Sequence, residues 1–250
     1  MTLLVVLLNI SVQASSIDVT TPGTVNVCVG NQYIIDNYIG GELVANYISS
    51  NINVASVINS RDIRSGLTYD TKRLISRAPG RATITSISIM GRKTVLTVVS
   101  RKHKFKKGKC VYCGRKSDKQ ITKELTKLKK KKAYKNGAKW GSKKYRSVSD
   151  RILGVDISGG YGCVAFVIEL ADKLYKDLPI EKTRDVNSLK PGDIVRLDGK
   201  HSVMIWKKSG SKYVLAEANV GGRVAWGRKV SKSYLRRHAT YICVRGVLQK

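Results

Sequence analysis

The sequence predicts a multidomain fold class: an all-β sandwich in its first hundred residues and an α+β unit from residue 146, with a cysteine-bearing helix packed on an antiparallel sheet. Three observations carry this. The runs TVNVCV, QYIID, NVASVI, ATITSISI and KTVLTVV are short and β-rich, and the last two alternate apolar and polar residues with no competing helical period. After Cys163, the residues Phe166, Val167, Leu170, Ala171 and Leu174 recur at helical spacing. Strand-like runs then follow as GDIVRL, a segment beginning at His201, KYVLAEAN, RVAWGRKV and ATYICVRG.

The opening segment, MTLLVVLLNISVQASS, has an apolar run of about a dozen residues, below the roughly 20 needed to span a bilayer. Val12 and Ala14 stand at the spacing of a cleavage site, so residues 1–14 are expected to be a secretory signal peptide. The alternative is a first buried strand. Residues 16–100 form the sandwich, with a tight turn at Gly91-Arg92 between its last two strands. Cys28 lies on a predicted strand and reads as a buried apolar thiol.

Charge marks the next boundary. The 250 residues carry 47 Lys+Arg against 17 Asp+Glu, a net charge of +30. Residues 101–145 hold 19 basic and 2 acidic residues, a surplus of 17 and more than half of the total. Like charges this dense resist compaction, so the stretch reads as a Lys-rich linker, with TKELTKLKKKKAY as a solvated helix within it. No cofactor is expected. The surplus suits retention on an anionic surface, and Lys predominates over Arg without a base-reading motif, so no specific nucleic acid is expected as a partner. Stable membrane insertion is not expected either.

The linker contains His103, Cys110 and Cys113 in the pattern H-x6-C-x2-C-G. A C-x2-C turn sets two sulfurs side by side, as in half of a tetrahedral zinc site. HKFKKGKCVYCG resembles a short zinc-ribbon-like knuckle. Three ligands fall short of four, however, and a local disulfide or two free thiols outweigh a metal, so no metal site is expected.

The chemistry is expected in residues 146–250. Gly159, Gly160 and Gly162 make a permissive turn, and Cys163 follows at the first helical turn, where backbone N–H groups favour thiolate. His201 begins a strand about 38 residues later and is a base able to take the thiol proton. Glu217 and Asn219, two apart on the next strand, share a face, and either can orient the imidazole. Tyr161 and Trp226 are candidates to line a substrate cleft, although Trp on a strand more often packs a core.

Two resemblances extend this reading. TPGTVNVCVGNQ, NINVASV and APGRATITSISIMGRKTVLTVV resemble the bacterial Ig-like group 2 domain, which implies a spacer that displays its neighbour. GYGCVAFVIEL, LKPGDIVRL, HSVMI and AEAN resemble the CHAP family (cysteine, histidine-dependent amidohydrolase/peptidase) and its NlpC-type relatives in the papain-like superfamily. That likeness implies a papain-like α+β domain with Cys163 as nucleophile, His201 as general base and acid, and Glu217 and Asn219 as orienting groups. It also implies a secreted amidase or endopeptidase acting on peptidoglycan peptides at the bacterial cell surface, with peptidoglycan or another anionic wall polymer as partner. The competing expectation is a non-catalytic surface adhesin built on the same domains.

Overall fold

The computed structural model describes residues 16–17, 22–35, 37–64, 67–147, 152–153, 159–175, 180–183 and 185–245. The expected signal peptide, residues 1–14, lies outside them. No helix among the described residues is long and apolar enough to cross a membrane.

The first stretch is built of strands: β1 (Ser16–Ile17), β2 (Gly23–Cys28), β3 (Gln32–Ile35), β4 (Tyr38–Ile39), β5 (Glu42–Ser49), β6 (Ala55–Arg64), β7 (Leu67–Ser76), β8 (Gly80–Ser88) and β9 (Lys93–Arg101). One sheet runs β1-β3-β7-β6 and the other β2-β9-β8-β5-β4. The alternation in β8 and β9 decides which side chains turn inward. Ala82, Ile84, Leu96 and Val98 join Val27 from one sheet and meet Tyr33, Ile35, Ala55 and Leu74 from the other in a single core. Burying a large aliphatic residue there is worth about 1.5–3 kcal/mol.

The basic stretch is folded as well. A small hairpin, β10 (Phe105–Lys106) and β11 (Lys109–Cys110), turns at Lys107 and Gly108, both at positive φ. Helix α1 (Asp118–Lys130) follows, capped by the Ser117 hydroxyl, which accepts the Gln120 N–H at 3.2 Å. Asp118 in its first turn and Lys127, Lys129 and Lys130 in its last complement the helix dipole. Ile121, Leu125 and Leu128 form a buried stripe, while Lys119, Lys123, Lys127 and Lys130 are exposed on the other side. The expected solvated linker is thus corrected: its lysines face water because its leucines and isoleucine face a core.

The remaining elements are β12 (Tyr145–Ser147), β13 (Ile152–Leu153), β14 (Gly159–Tyr161), α2 (Cys163–Leu174), β15 (Ile180–Thr183), β16 (Ile194–Leu197), β17 (His201–Ser209), β18 (Lys212–Val220), β19 (Arg223–Ser231), α3 (Lys232–His238) and β20 (Ala239–Arg245). Six strands form a sheet ordered β15-β20-β16-β17-β18-β19. Its period of two sorts the side chains. Ile194, Met204, Trp206, Val214, Ala216 and Ala218 pack with α1 and α2. Val195, Leu197, Val203, Ile205, Tyr213 and Leu215 pack on the other face with Val186 and, from α3, Leu235.

These findings overturn the expected fold class. Among the described residues strands far outnumber helices. It does not form an Ig-like sandwich tethered to a clearly separate α+β papain-like domain. The physical reason is shared burial. The apolar stripe of α2 is completed by Ile121, Leu125, Leu128, Tyr134 and Trp140, all from the stretch expected to be linker. β13 in turn pairs with β6 at the edge of the first sheet, Ile152 opposite Ile63.

Candidate functional site

Cys163 opens α2 because Gly162 precedes it at φ 57° and ψ −115°, a conformation that disfavours any side chain. Space is closed there too: a Cβ on Gly162 would lie 3.0 Å from Asn219 Nδ2 and 3.4 Å from Ser142 Cα. The stretch before α2 holds this glycine in place. The Gly162 N–H donates to Lys144 O at 2.8 Å, and Trp140 Nε1 donates to Gly162 O at 2.9 Å. Trp140 is itself anchored, its N–H donating to Gly222 O at 2.7 Å and its ring meeting Phe166 edge-on at 5.1 Å.

The β16–β17 hairpin brings His201 to the thiol. Asp198 and Gly199, both at positive φ, turn the chain so that His201 opens β17 opposite Leu197. The next amide, Ser202 N–H, donates to Cys163 Sγ at 3.4 Å. Arg196 Nη1 stands 4.0 Å from the same sulfur and also donates to Ser202 Oγ at 2.9 Å, while its Nη2 donates to Gly199 O at 2.8 Å. His201 stands beside this sulfur and interacts with it, and its Nε2 lies 3.0 Å from Glu217 Oε2, while Cys163 Sγ lies 3.9 Å from the carbonyl oxygen of Lys200, the residue before the histidine. The thiol is buried, whereas the imidazole side chain keeps 28% of its surface exposed, so the approach is over the ring.

Glu217 is buried at 5% side-chain exposure and doubly held: Arg228 Nε donates to Oε1 and Nη2 to Oε2, each at 2.8 Å. Burial by itself raises its pKa, but the hydrogen bonds from His201 and Arg228 and the Arg228 charge outweigh this and hold the carboxyl down at about 2. Interaction with the neighbouring Cys163 and the hydrogen bond to Glu217 raise His201 to about 9 against the opposing effect of burial. For Cys163, burial pushes the thiol up, while the neighbouring His201, the Ser202 amide and the Arg196 charge bring it down to about 7.

Of the predicted set, Cys163, His201 and Glu217 are brought together. Asn219 is not on His201: it sits at φ 63° beside a register shift between Ala218 and Val220, which breaks the alternation, and its amide lies against Gly162. Tyr161 is exposed and tilted against Tyr145 with ring centroids 4.8 Å apart. Trp226 is corrected from cleft to core. It packs edge-on against Phe166 and Trp206, and its Nε1 donates to Tyr134 O at 2.7 Å. Sequence reasoning missed Arg228, Arg196 and Trp140. RVAWGRKV and GDIVRL were visible as strands, but no spacing marked their arginines.

A second constellation lies away from this site. His103, Cys110 and Cys113 come together as the motif suggested, and Cys28 from the end of β2 joins them, so that the ligand atoms of all four lie within 4.8 Å of one another.

No family model matches the chain, and no curated protein matches it.

Proposed function

We propose that this protein is a cysteine-dependent amide hydrolase, with Cys163 as nucleophile, His201 as general base and acid, and Glu217 as the residue that positions His201. One observation carries the reading: a buried thiol at a helix start lies against the first residues of β17, accepting the Ser202 N–H at 3.4 Å, beside an imidazole whose Nε2 is held by a buried carboxylate at 3.0 Å. Nucleophile, base and orienting group in series is what covalent acyl transfer requires.

In the proposed reaction Cys163 passes its proton to His201 and the thiolate attacks the amide carbonyl carbon. The oxyanion is met by the first-turn N–H of Cys163, since amides at a helix start have no intrahelical acceptor. Imidazolium then protonates the amine as the C–N bond breaks, leaving a thioester. Water, deprotonated by His201, attacks the thioester, releases the carboxylic acid and restores the thiol–imidazole pair. Glu217 keeps Nε2 engaged throughout, and Arg228 keeps Glu217 ionised.

The substrate class proposed is peptidoglycan peptide, on the strength of the resemblance of GYGCVAFVIEL, LKPGDIVRL, HSVMI and AEAN to the CHAP family. Secretion to the cell surface and retention on an anionic wall polymer complete the proposal, supported by residues 1–14 and by the exposed lysines of α1. The test is mass spectrometry of fragments released from purified peptidoglycan. Wild-type protein is expected to release peptides with new amine and carboxyl ends, and Cys163→Ala and His201→Ala to release none. Full release by either variant would overturn the reading.

A further inference from the structure

We propose that Cys28, His103, Cys110 and Cys113 form a structural zinc site that joins the end of β2 to the β10–β11 knuckle. Four ligands is the number a closed tetrahedral site needs, and the fourth comes from a residue 82 positions before Cys110. The separations have the right size. With Zn–S of about 2.3 Å and Zn–N of about 2.0 Å, a tetrahedron has edges of about 3.8 Å between sulfurs and about 3.5 Å between sulfur and nitrogen. Cys28 Sγ and Cys110 Sγ are 3.9 Å apart, and Cys113 Sγ is 3.4 Å from His103 Nδ1.

The surroundings are built for sulfur anions. The three cysteines are buried and form a small cluster of their own, and all three are free thiols. Backbone hydrogen bonds shape the turn that carries two of them: Cys110 N–H donates to Arg115 O at 2.8 Å and Val111 N–H to Lys104 O at 2.9 Å. Such outer contacts orient ligating sulfurs. Gly114, at φ 68°, closes the knuckle, its N–H donating to Cys110 O at 2.9 Å. The basic neighbourhood favours this site rather than opposing it. Binding displaces three thiol protons and leaves three thiolates, a neutral imidazole and a dication with a net charge of −1, set among Lys104, Lys109 and Arg115.

The site would act as a clasp. Cys28 ends β2, which pairs in parallel with β9, and His103 follows β9 by two residues. The knuckle leads directly into α1, whose cap residue Ser117 donates its N–H to Gly108 O at 2.9 Å. Metal would therefore tie the first pair of sheets to the helix that supports α2. The proposal is independent of catalysis by Cys163.

The test uses untagged full-length protein, purified with reductant and without chelator from zinc-supplemented medium, with zinc measured by elemental analysis. The expected result is about one zinc per chain in wild type and in Cys163→Ser, and loss of most of it in Cys28→Ser. Because Cys28→Ser also changes a buried residue, a second measurement uses wild type alone: Co(II) exchanged into the protein is expected to give the intense visible absorption of tetrahedral cobalt with thiolate charge-transfer bands. Reduced wild-type protein without stoichiometric zinc, a Cys28→Ser variant that keeps a full equivalent, or a Cys28–Cys110 disulfide in freshly purified protein would each overturn the proposal.

Discussion

Arg228 grips both carboxylate oxygens of Glu217 at 2.8 Å, and the same carboxylate reaches His201 at 3.0 Å, so a residue remote from the thiol governs how the imidazole is charged. Replacing Arg228 by Met leaves a buried carboxylate with one partner fewer. The expected cost is about 2–3 kcal/mol, below that of breaking a wholly buried pair because the Arg228 side chain is 38% exposed. Denaturant unfolding measures it. Peptide release should fall by about tenfold or more, because Glu217 no longer holds its charge and position as firmly.

Activity is expected to follow a bell in pH. Below about 7 Cys163 keeps its proton and cannot attack, and above about 9 His201 loses the proton that the leaving amine needs. The thiolate–imidazolium pair is therefore filled between these values, and the two limbs belong to the coupled pair rather than to either residue alone. The profile of kcat/KM on a soluble peptide amide checks this. Glu217→Gln removes the charge that favours imidazolium, so its alkaline limb should move down from about 9 toward the ordinary value of 6.5. An unmoved limb would show that Glu217 does not act through His201.

The carboxylate also sets an acid limit on stability. Glu217 is held at about 2 in the folded protein against an ordinary 4.5, so its contribution is complete above 4.5 and is lost as pH falls toward 2. Thermal unfolding of wild type should lose stability across that window, and Glu217→Gln should lose less of it.

Gly162→Ala tests the turn that presents the thiol. A side chain at φ 57° costs about 1–3 kcal/mol, and the new Cβ would press on Asn219 Nδ2 at 3.0 Å. The variant should fold with reduced stability, and iodoacetamide should label Cys163 several-fold more slowly because the helix start is displaced.

Trp140→Phe removes one hydrogen bond while keeping an aromatic ring in the core. The loss of the bond to Gly162 O is worth about 1 kcal/mol, whereas Trp140→Ala empties a core position and costs about 3–5 kcal/mol. A decrease in the labelling rate of Cys163 in Trp140→Phe, at near-native stability, is the outcome that assigns Trp140 a positioning role.

Local patterns made some of this visible beforehand and long-range pairings hid the rest. Cys163 at a helix start, His201 at a strand start and Glu217 on the next strand were all readable from period and order. Arg228 was not, because it meets Glu217 across a β18–β19 pairing whose register shifts twice. Asn219 was assigned the face of Glu217 by strict alternation, which its positive φ breaks. The lysines of residues 101–145 concealed the spacing of Ile121, Leu125 and Leu128, so a core helix looked like a tether. Cys28 gave no local sign of Cys110, since nothing in a strand's own sequence says which distant turn will lie against its end.

Lys119, Lys123, Lys127 and Lys130 ride on a helix whose opposite stripe is buried in the core. Their charges thus keep fixed coordinates relative to Cys163 instead of trailing on a loose chain. In the field of an anionic polymer such an arrangement feels a torque as well as a pull. The molecule would arrive already turned, with the same side leading at each encounter, and added salt would scramble its landing angle as well as weaken its hold.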